Sequence, residues 1–241
     1  MKAISFERPL PVTDPASFIE VTLDTPIPGP RDLLVEVKAI SVNPVDTKIR
    51  GGGGPGSPAG EWKILGWDAA GVVTAVGAEV TRFAPGDEVY YAGAVNRAGC
   101  YAEYQVVDER LVGRKPATLD FAESAALPLT TITAWEMLFD RARIRREETG
   151  TILIVGGAGG VGSIAIQLAR QLTGLTVIAT ASRPETQEWC RKMGAQQVID
   201  HSQPLAEQIA AIAPGGVNYV LALTKTEEHL DEIIAAMAPQ S

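Results

Sequence analysis

The residues most suited to a chemical role form a glycine-rich turn beyond the middle of the chain, Gly157-Ala158-Gly159-Gly160-Val161-Gly162. Their spacing matches G-x-G-x-x-G, a pattern whose meaning depends on its surroundings. Residues 151–155 are a threonine followed by four aliphatic residues and predict a buried strand, and residues 161–172 predict an amphipathic helix. A strand, a tight glycine turn and a helix in this order bind the pyrophosphate of a dinucleotide. The alternative is a glycine-rich turn without a ligand.

Each glycine of this spacing has a separate physical use. Gly157 permits the sharp turn, and Gly159 has no Cβ, so the backbone there can approach a phosphate closely. Gly162 lets the helix pack close to the strand. The helix then offers unpaired N–H groups and the positive end of its dipole to the phosphates.

The next predicted strand covers residues 176–181. The residues at its end indicate whether NAD or its 2′-phosphorylated form would bind. A site for NAD would place Asp or Glu about 20 residues after the turn, to bind the ribose 2′-hydroxyl. This strand is instead followed by Ser182 and Arg183, with no acidic residue. Ser182 can donate to a phosphate, and Arg183 can bind one through its planar guanidinium. We therefore predict NADPH as the cofactor; for Arg183 the alternative is an ordinary surface arginine.

Composition limits the remaining functions of the chain. It has 241 residues, of which 46% are hydrophobic, enough for one large domain or two modest ones. A formal net charge of -8 and the lack of a basic cluster argue against nucleic acid or an anionic membrane as a partner. No apolar run approaches the ~20 residues of a membrane span, and the sequence begins in a strand pattern without a signal peptide. We therefore expect a cytoplasmic protein. Cys100 and Cys190 form no metal or disulfide motif and are expected to be buried free thiols.

The elements expected around these residues change character along the chain. The first 110 residues predict a β-rich region, with strands over 33–42, 71–77 and 87–91, and residues 51–60 predict a glycine-rich loop. Helices are expected over 121–127 and 132–139, with Pro128 between them. From residue 151 strands and helices alternate, which predicts a parallel sheet with right-handed crossovers. Its further elements are expected to be helices over 184–193, 205–212 and 227–237 and strands over 197–199 and 218–223.

Several phrases elsewhere are similar to quinone oxidoreductases and occur in the same order: SVNPVDT at 41–47, LGWDAAG at 65–71, FAPGDEV at 83–89 and ALPLTTITAW at 126–135. Together with the glycine turn they resemble the medium-chain dehydrogenase/reductase superfamily, in its zinc-free quinone oxidoreductase-like branch, over the whole chain. That resemblance implies an α/β protein. A β-rich GroES-like domain over 1–126 would bind substrate, and a Rossmann domain over 127–241 would bind NADPH. The resemblance also implies a homodimer.

The resemblance raises a question about the end of the Rossmann domain. In this fold the sheet has six strands in the order 3-2-1-4-5-6. Four strands are predicted here, at 151–155, 176–181, 197–199 and 218–223, and the sequence ends just before a fifth would begin. We therefore expect a Rossmann sheet truncated after its fourth strand.

The chain departs from the zinc-dependent members of the superfamily at the metal ligands. Those relatives carry Cys at the position of Asn43, a His-Glu pair at the positions of Trp67 and Asp68, and a four-cysteine lobe that this sequence lacks. Asn43 and Trp67 are not ordinary zinc ligands, so no metal site is predicted. Quinone oxidoreductases tend to carry Tyr where this chain has Lys48, and an aromatic contact with the nicotinamide is not expected there.

The resemblance also suggests individual roles. His201 lies where relatives place Tyr or His against the adenosine end of NADPH, although it is equally explained as a surface loop residue. Thr131 resembles a residue that contacts the nicotinamide, with a helix N-cap as the alternative. Asn43 and Asp46 are the predicted catalytic residues, in the loop after the strand that lines the cleft in relatives. Asn43 would hydrogen-bond the substrate or the nicotinamide ribose, and Asp46 would orient Asn43 or shuttle a proton. An Asx turn at Asn43-Pro44 would also explain both.

These residues favour a reduction. Without a Lewis acid nothing holds the alkoxide of an alcohol substrate, whereas an activated acceptor spreads the developing charge itself. We therefore predict hydride transfer from NADPH to a quinone or an α,β-unsaturated carbonyl. The alternatives are an NADPH-binding protein without turnover and an enoyl reductase.

Overall fold

The computed structural model describes residues 1–52 and 62–239. The chain divides into two units, Met1–Leu129 and Thr130–Ser241. Most of the glycine-rich loop predicted over 51–60 lies outside the described residues, and only its first two glycines are described, in a turn.

The first unit is built mainly from antiparallel strands, and its β-rich character agrees with the prediction. Its elements, in chain order, are β1 (Lys2–Phe6), β2 (Ile19–Thr22), β3 (Asp32–Ser41), α1 (Pro44–Arg50), β4 (Lys63–Ile64), β5 (Asp68–Val76), β6 (Glu88–Ala92), β7 (Tyr104–Asp108), β8 (Val112–Arg114), α2 (Phe121–Ala125) and α3 (Pro128–Trp135), the last of which continues past Leu129.

Two sheets organise this unit. Five strands lie in the order β7-β3-β5-β6-β8, and three more in the order β2-β1-β4. Leu33 and Val35 alternate with less buried neighbours along β3, and they pack with Ala69 and Val73 of β5 in one apolar cluster. The period of two gives each strand one buried face, as expected for an antiparallel sheet.

The prediction was wrong at two places near the site residues. Residues after β3 form helix α1, not a loop, because Pro44 occupies its first position, where its fixed φ and missing N–H cost nothing. Pro128 likewise begins a helix where a break between helices was expected. That helix, α3, ends at Trp135 and is followed by a π-helix over Glu136–Arg141. Thr131 therefore lies inside α3 and is not an N-cap.

The second unit alternates strands with helices as predicted. Its elements are β9 (Thr149–Val155), α4 (Gly160–Leu172), β10 (Gly174–Thr180), α5 (Pro184–Met193), β11 (Gln197–Ile199), α6 (Leu205–Ile212), β12 (Tyr219–Ala222) and α7 (Thr226–Ala236). The strands form a parallel sheet in the order β11-β10-β9-β12. Counted within this unit the order is 3-2-1-4, the first four positions of a Rossmann sheet.

Helices cover both faces of this sheet. Ile152 and Ile154 of β9 pack in one apolar cluster with residues of α4 and α5. Leu153 and Val155, which point the other way, pack in a second cluster with residues of α6 and α7. All four side chains are fully buried, as expected for a parallel strand covered on both faces. Among the residues described, none of the helices has the length and apolarity to cross a membrane.

Candidate functional site

The glycine turn joins β9 to α4 and leaves the start of that helix open. The N–H of Gly157 donates to the Thr180 carbonyl (3.1 Å), and the N–H of Gly159 donates to the Gly156 carbonyl (3.1 Å). The first hydrogen bond of α4 runs from the Ser163 N–H to the Gly159 carbonyl (2.8 Å). The N–H groups of the first helical residues have no acceptor within the helix, so they can bind an anion.

The turn is also too tight for side chains at two of its glycines. A Cβ on Gly162 would overlap the Gly156 carbonyl oxygen and lie 2.7 Å from that of Gly157. A Cβ on Gly157 would lie 2.8 Å from the Ala179 Cβ. A Cβ on Gly159 would instead meet only the Gly156 carbonyl oxygen, at 3.4 Å. Gly157 and Gly162 are thus needed by the fold, and Gly159 leaves room for a ligand above the turn.

A cleft of about 740 Å³ opens at the carboxyl ends of the strands of this unit. Eight of the ten residues predicted to bind the cofactor line it: Ala158, Gly159, Gly160, Val161, Gly162, Ser182, Arg183 and His201. Gly157 lies beneath them against the core, and Thr131 does not line the cleft. Ligands of doubly wound sheets bind at this edge, so the position suits a dinucleotide.

Ser182 and Arg183 lie exposed at the rim of the cleft, directly after β10. Among the described residues, no hydrogen bond or ion pair involves the Arg183 guanidinium. Only its backbone is engaged: its N–H donates to the Thr186 hydroxyl (3.3 Å), and its carbonyl accepts from that hydroxyl (2.9 Å) and from the Gln187 N–H (2.9 Å). A free guanidinium beside a hydroxyl is the chemistry that binds a phosphate monoester.

Several residues of the cleft were not predicted from the sequence. Thr180 ends β10, Thr224 follows β12, and Thr133 and Met137 come from α3 and the π-helix. Thr180 and Thr224 had a usable signal, because each is a hydroxyl residue at the carboxyl end of a predicted parallel strand. Met137 had none, since nothing in its local sequence predicts a π-helix.

The two predicted catalytic residues lie in the first unit, where they form the N-cap of α1. Asn43 is the N-cap residue, and the Asp46 Oδ2 accepts a hydrogen bond from the Asn43 backbone N–H (2.7 Å). Asp46 is thus the reciprocal half of a capping box. Both side chains are buried. This contact agrees with Asp46 orienting Asn43, and equally with a cap that has a structural purpose only.

A third acidic residue, which the sequence analysis did not select, completes this polar group. Asp68 begins β5 and is fully buried. Its carboxylate accepts from the Asn43 Nδ2 (2.9 Å) and from the Leu129 N–H (2.8 Å). Burial raises the pKa of Asp68 from 3.8 to about 6; the two hydrogen bonds oppose this rise. We call Asn43, Asp46 and Asp68 the carboxylate cluster.

Tyr101 packs its ring against Gly66 and hydrogen-bonds to the carboxylate cluster. Its hydroxyl donates to the Asp46 Oδ2 (3.0 Å), and burial raises the pKa of the phenol. The ring covers Gly66, whose φ is +87° and whose added Cβ would collide with it. Within the described residues, the second oxygen of Asp46 is buried without a partner. The other carboxylate oxygens of the cluster already accept hydrogen bonds from within the protein.

The residues at the zinc-ligand positions of the superfamily do not fit that metal. Asn43 donates its amide to Asp68, and the indole nitrogen of Trp67 has no lone pair to offer. Burial raises the pKa of the nearby Cys100, whose thiol donates to the Asp68 carbonyl at 3.3 Å. Across residues 1–52 and 62–239, no group of three or more His, Cys, Asp or Glu is placed to hold a metal ion.

Family models match both units of the chain. The alcohol dehydrogenase GroES-like domain matches residues 29–117, and the zinc-binding dehydrogenase domain matches residues 160–241. A GroES-like unit and a Rossmann-like unit with an open glycine turn define an oxidoreductase that uses a nicotinamide dinucleotide. The chain belongs to the medium-chain dehydrogenase/reductase superfamily, as the sequence analysis predicted.

Individual relatives agree with this assignment. A zinc-type alcohol dehydrogenase-like protein of Staphylococcus aureus (strain COL) is 44% identical over 243 residues, which cover 99% of this chain and 71% of that protein. The NADPH-dependent alkenal/one oxidoreductase of Arabidopsis thaliana is 38% identical over 186 residues, covering 73% of this chain and 47% of that protein.

Solved structures extend the comparison. A Rhizobium etli CFN 42 protein, provisionally named a zinc-dependent alcohol dehydrogenase, superposes with a TM-score of 0.93 at 56% identity, covering 100% of this chain and 70% of that one. The Escherichia coli quinone oxidoreductase, crystallised with NADPH, superposes with a TM-score of 0.81 at 29% identity, covering 98% of this chain and 70% of that one.

Proposed function

We propose that this chain acts as an NADPH-dependent reductase of quinones or α,β-unsaturated carbonyls that works without a metal. The observation that carries the proposal is the cleft of the second unit, where an unpaired Arg183 lies beside Ser182 at the end of β10. The names of the Escherichia coli and Arabidopsis relatives support the cofactor and the two substrate classes.

The residues of the cleft fit the cofactor in three places. The open N-terminus of α4 would hold the pyrophosphate, Ser182 and Arg183 would hold the 2′-phosphate, and His201 would lie toward the adenosine. When bound, the cofactor supplies the hydride. The protein's part is then to hold it in a fixed orientation, since much of the rate of such a transfer comes from positioning.

Asn43 and Asp46 enter the proposal as positioning residues. Their hydrogen bonds to each other and to Asp68 fix the start of α1, the segment that follows β3. The unpartnered oxygen of Asp46 is the remaining acceptor through which this group would handle a proton. The residues present at the zinc-ligand positions are the reason to propose a metal-free reaction.

The carboxylate cluster also favours a second candidate function. Because its polar atoms are largely bound to one another, the same geometry suits a protein that binds NADPH without turning it over. The two candidates share the cofactor and differ in catalysis.

A kinetic experiment separates them. The oxidation of NADPH is followed by absorbance with a panel of quinones and a panel of enones, and dissociation constants are measured for NADPH and NADH. If the chain is a reductase, we expect turnover with at least one acceptor. The rate with NADH should be at most about one tenth of the rate with NADPH, because NADH lacks the charged group that Arg183 would bind. Tight binding of NADPH with no oxidation by any acceptor would support the second candidate. Equal use of NADH would contradict the assignment of Arg183.

A further inference from the structure

Thr180 lines the cleft and is fully buried. Its Oγ1 accepts a hydrogen bond from the Gly156 N–H (3.0 Å), at the start of the glycine turn. The same Oγ1 lies 3.2 Å from Nδ1 of His201, which also lines the cleft. One hydroxyl therefore joins the glycine turn to the ring expected beside the adenosine.

The donors and acceptors of these three groups can be counted. A threonine hydroxyl has one proton to donate and two lone pairs to accept with. A backbone N–H can only donate, so the bond from Gly156 uses one lone pair and leaves the hydroxyl proton available. In the described part of the chain, His201 Nδ1 is the other polar atom bonded to this hydroxyl. An Nδ1–H would instead donate to the second lone pair and leave the buried hydroxyl proton without a partner among the described residues, so the favourable arrangement has Nδ1 accepting that proton.

We propose that Thr180 is a positioning residue that fixes His201 in one tautomer, with the proton on Nε2 and Nδ1 accepting from the threonine. His201 then offers the cleft a neutral N–H donor in a set orientation. Such a donor suits an oxygen or a ring nitrogen at the adenosine end of a dinucleotide. It does not need the 2′-phosphate, so it serves NADPH and NADH alike, in contrast to Arg183.

The surroundings of His201 leave this assignment intact. The nearest ring is that of His229 on α7, with centroids 6.3 Å apart in an edge-on arrangement. The described hydrogen bonds include none between the two imidazoles, and Nε2 of His229 is buried without a partner. Asp200, the preceding residue, directs its carboxylate to the N–H and the hydroxyl of Ser202 (2.8 Å each).

The tautomer can be measured without any cofactor. The chain has two histidines, so ¹⁵N spectra of the labelled protein contain two imidazoles, and His201→Gln identifies the signals of His201. We expect a protonated Nε2 and an unprotonated Nδ1 in His201. Thr180→Val removes the hydroxyl at constant shape and should shift the ring toward a mixture of tautomers, whereas Thr180→Ser should restore the original spectrum. A protonated Nδ1 in the parent chain, or an unchanged spectrum in Thr180→Val, would overturn the proposal.

Binding constants test the consequence, which rests on the proposed cofactor site. Thr180→Val should weaken NADPH and NADH together, by about three- to tenfold, the usual value of one hydrogen bond. Thr180→Ser should stay within about twofold of the parent. A loss confined to NADPH would contradict the positioning role. If the chain bound neither dinucleotide, the proposed function would fail, while the tautomer experiment would still decide the role of Thr180.

Discussion

The glycine turn of the second unit and the carboxylate cluster of the first treat their polar groups in opposite ways. At the turn, helix N–H groups and a guanidinium have no partners among the described residues and face a cleft. In the cluster, Asn43, Asp46 and Asp68 are buried and hydrogen-bonded to one another. Polar groups that face a cleft are hydrated and can exchange that water for a ligand, whereas the buried groups of the cluster already have protein partners.

We therefore expect the glycine turn to recognise a ligand and the carboxylate cluster to stabilise the fold. Under the proposed function the turn would hold a phosphate, so changes there should alter binding. The cluster uses its groups to join α1, β5 and the start of α3, so changes there should alter stability first and activity through it. Each of the following substitutions alters either the cleft of the second unit or the carboxylate cluster.

Gly162→Ala should have the largest effect. The new methyl group would collide with backbone carbonyls of the turn, which cannot move without disturbing β9. Overpacking of this kind costs about 1–3 kcal/mol of folding stability, and displacement of the turn should weaken dinucleotide binding by about tenfold or more. Unfolding and dinucleotide titration should both show the loss. Gly159→Ala is the matched control, because its methyl meets one atom at 3.4 Å; it should keep the stability and lose binding alone. Normal binding by Gly162→Ala would contradict the close packing of turn and helix.

Asp68→Asn should have the next largest effect, and it should depend on pH. The pKa of Asp68 is raised from 3.8 to about 6 in the folded chain. The folded state therefore holds this proton more tightly than the unfolded state, and the stability it contributes is present below about pH 4 and lost as the pH rises through 6. The shift corresponds to about 2–3 kcal/mol. Asn does not titrate, so the variant lacks this contribution at every pH.

Denaturant unfolding of the parent and of Asp68→Asn at a series of pH values measures the difference. The advantage of the parent over the variant should grow by about 2 kcal/mol between pH 7.5 and pH 4. Carboxyl groups far from Asp68 contribute equally to both proteins and cancel in the comparison. Parallel pH profiles would mean that Asp68 is not the buried, proton-holding member of the cluster.

Arg183→Ala should have the smallest effect on stability and a selective effect on binding. Its side chain is exposed and makes no ion pair among the described residues, so the unfolding free energy should change by less than about 0.5 kcal/mol. Loss of a charge-assisted hydrogen bond should weaken NADPH about tenfold and leave NADH within about twofold. Arg191→Ala, an exposed arginine of α5 outside the cleft, is the control. Equal losses for the two dinucleotides would place the 2′-phosphate elsewhere.

The second unit was the more predictable part of the molecule. Its strands and helices follow the hydrophobic periods of the sequence, and the glycine spacing places the turn directly. Ser182 and Arg183 follow from the rule that ligands bind at the carboxyl ends of parallel strands. The first unit was harder, since short antiparallel strands such as β2 and β7 mix polar and apolar residues and depend on partners far away in the chain.

The residues missed by sequence reasoning share a physical cause. Asp68 acts through Asn43 and Leu129, which are 25 and 61 positions distant, so no local pattern reveals it. Thr180 was visible only as the end of a strand, because its hydroxyl gains meaning from Gly156 and His201. Helix α1 was taken for a loop because Asn43-Pro44 is as typical of a turn as of a helix start.

Gly66 shows how a residue without functional groups belongs to a polar site. Its left-handed backbone and bare Cα give the Tyr101 ring its place, and from there the phenol reaches Asp46. Any substitution of Gly66 would add a side chain that both strains the backbone and displaces the Tyr101 ring. The carboxylate cluster would then lose a donor through a substitution made outside it. A survey of reactive side chains would pass over this position, although the hydrogen bonding of Asp46 depends on it.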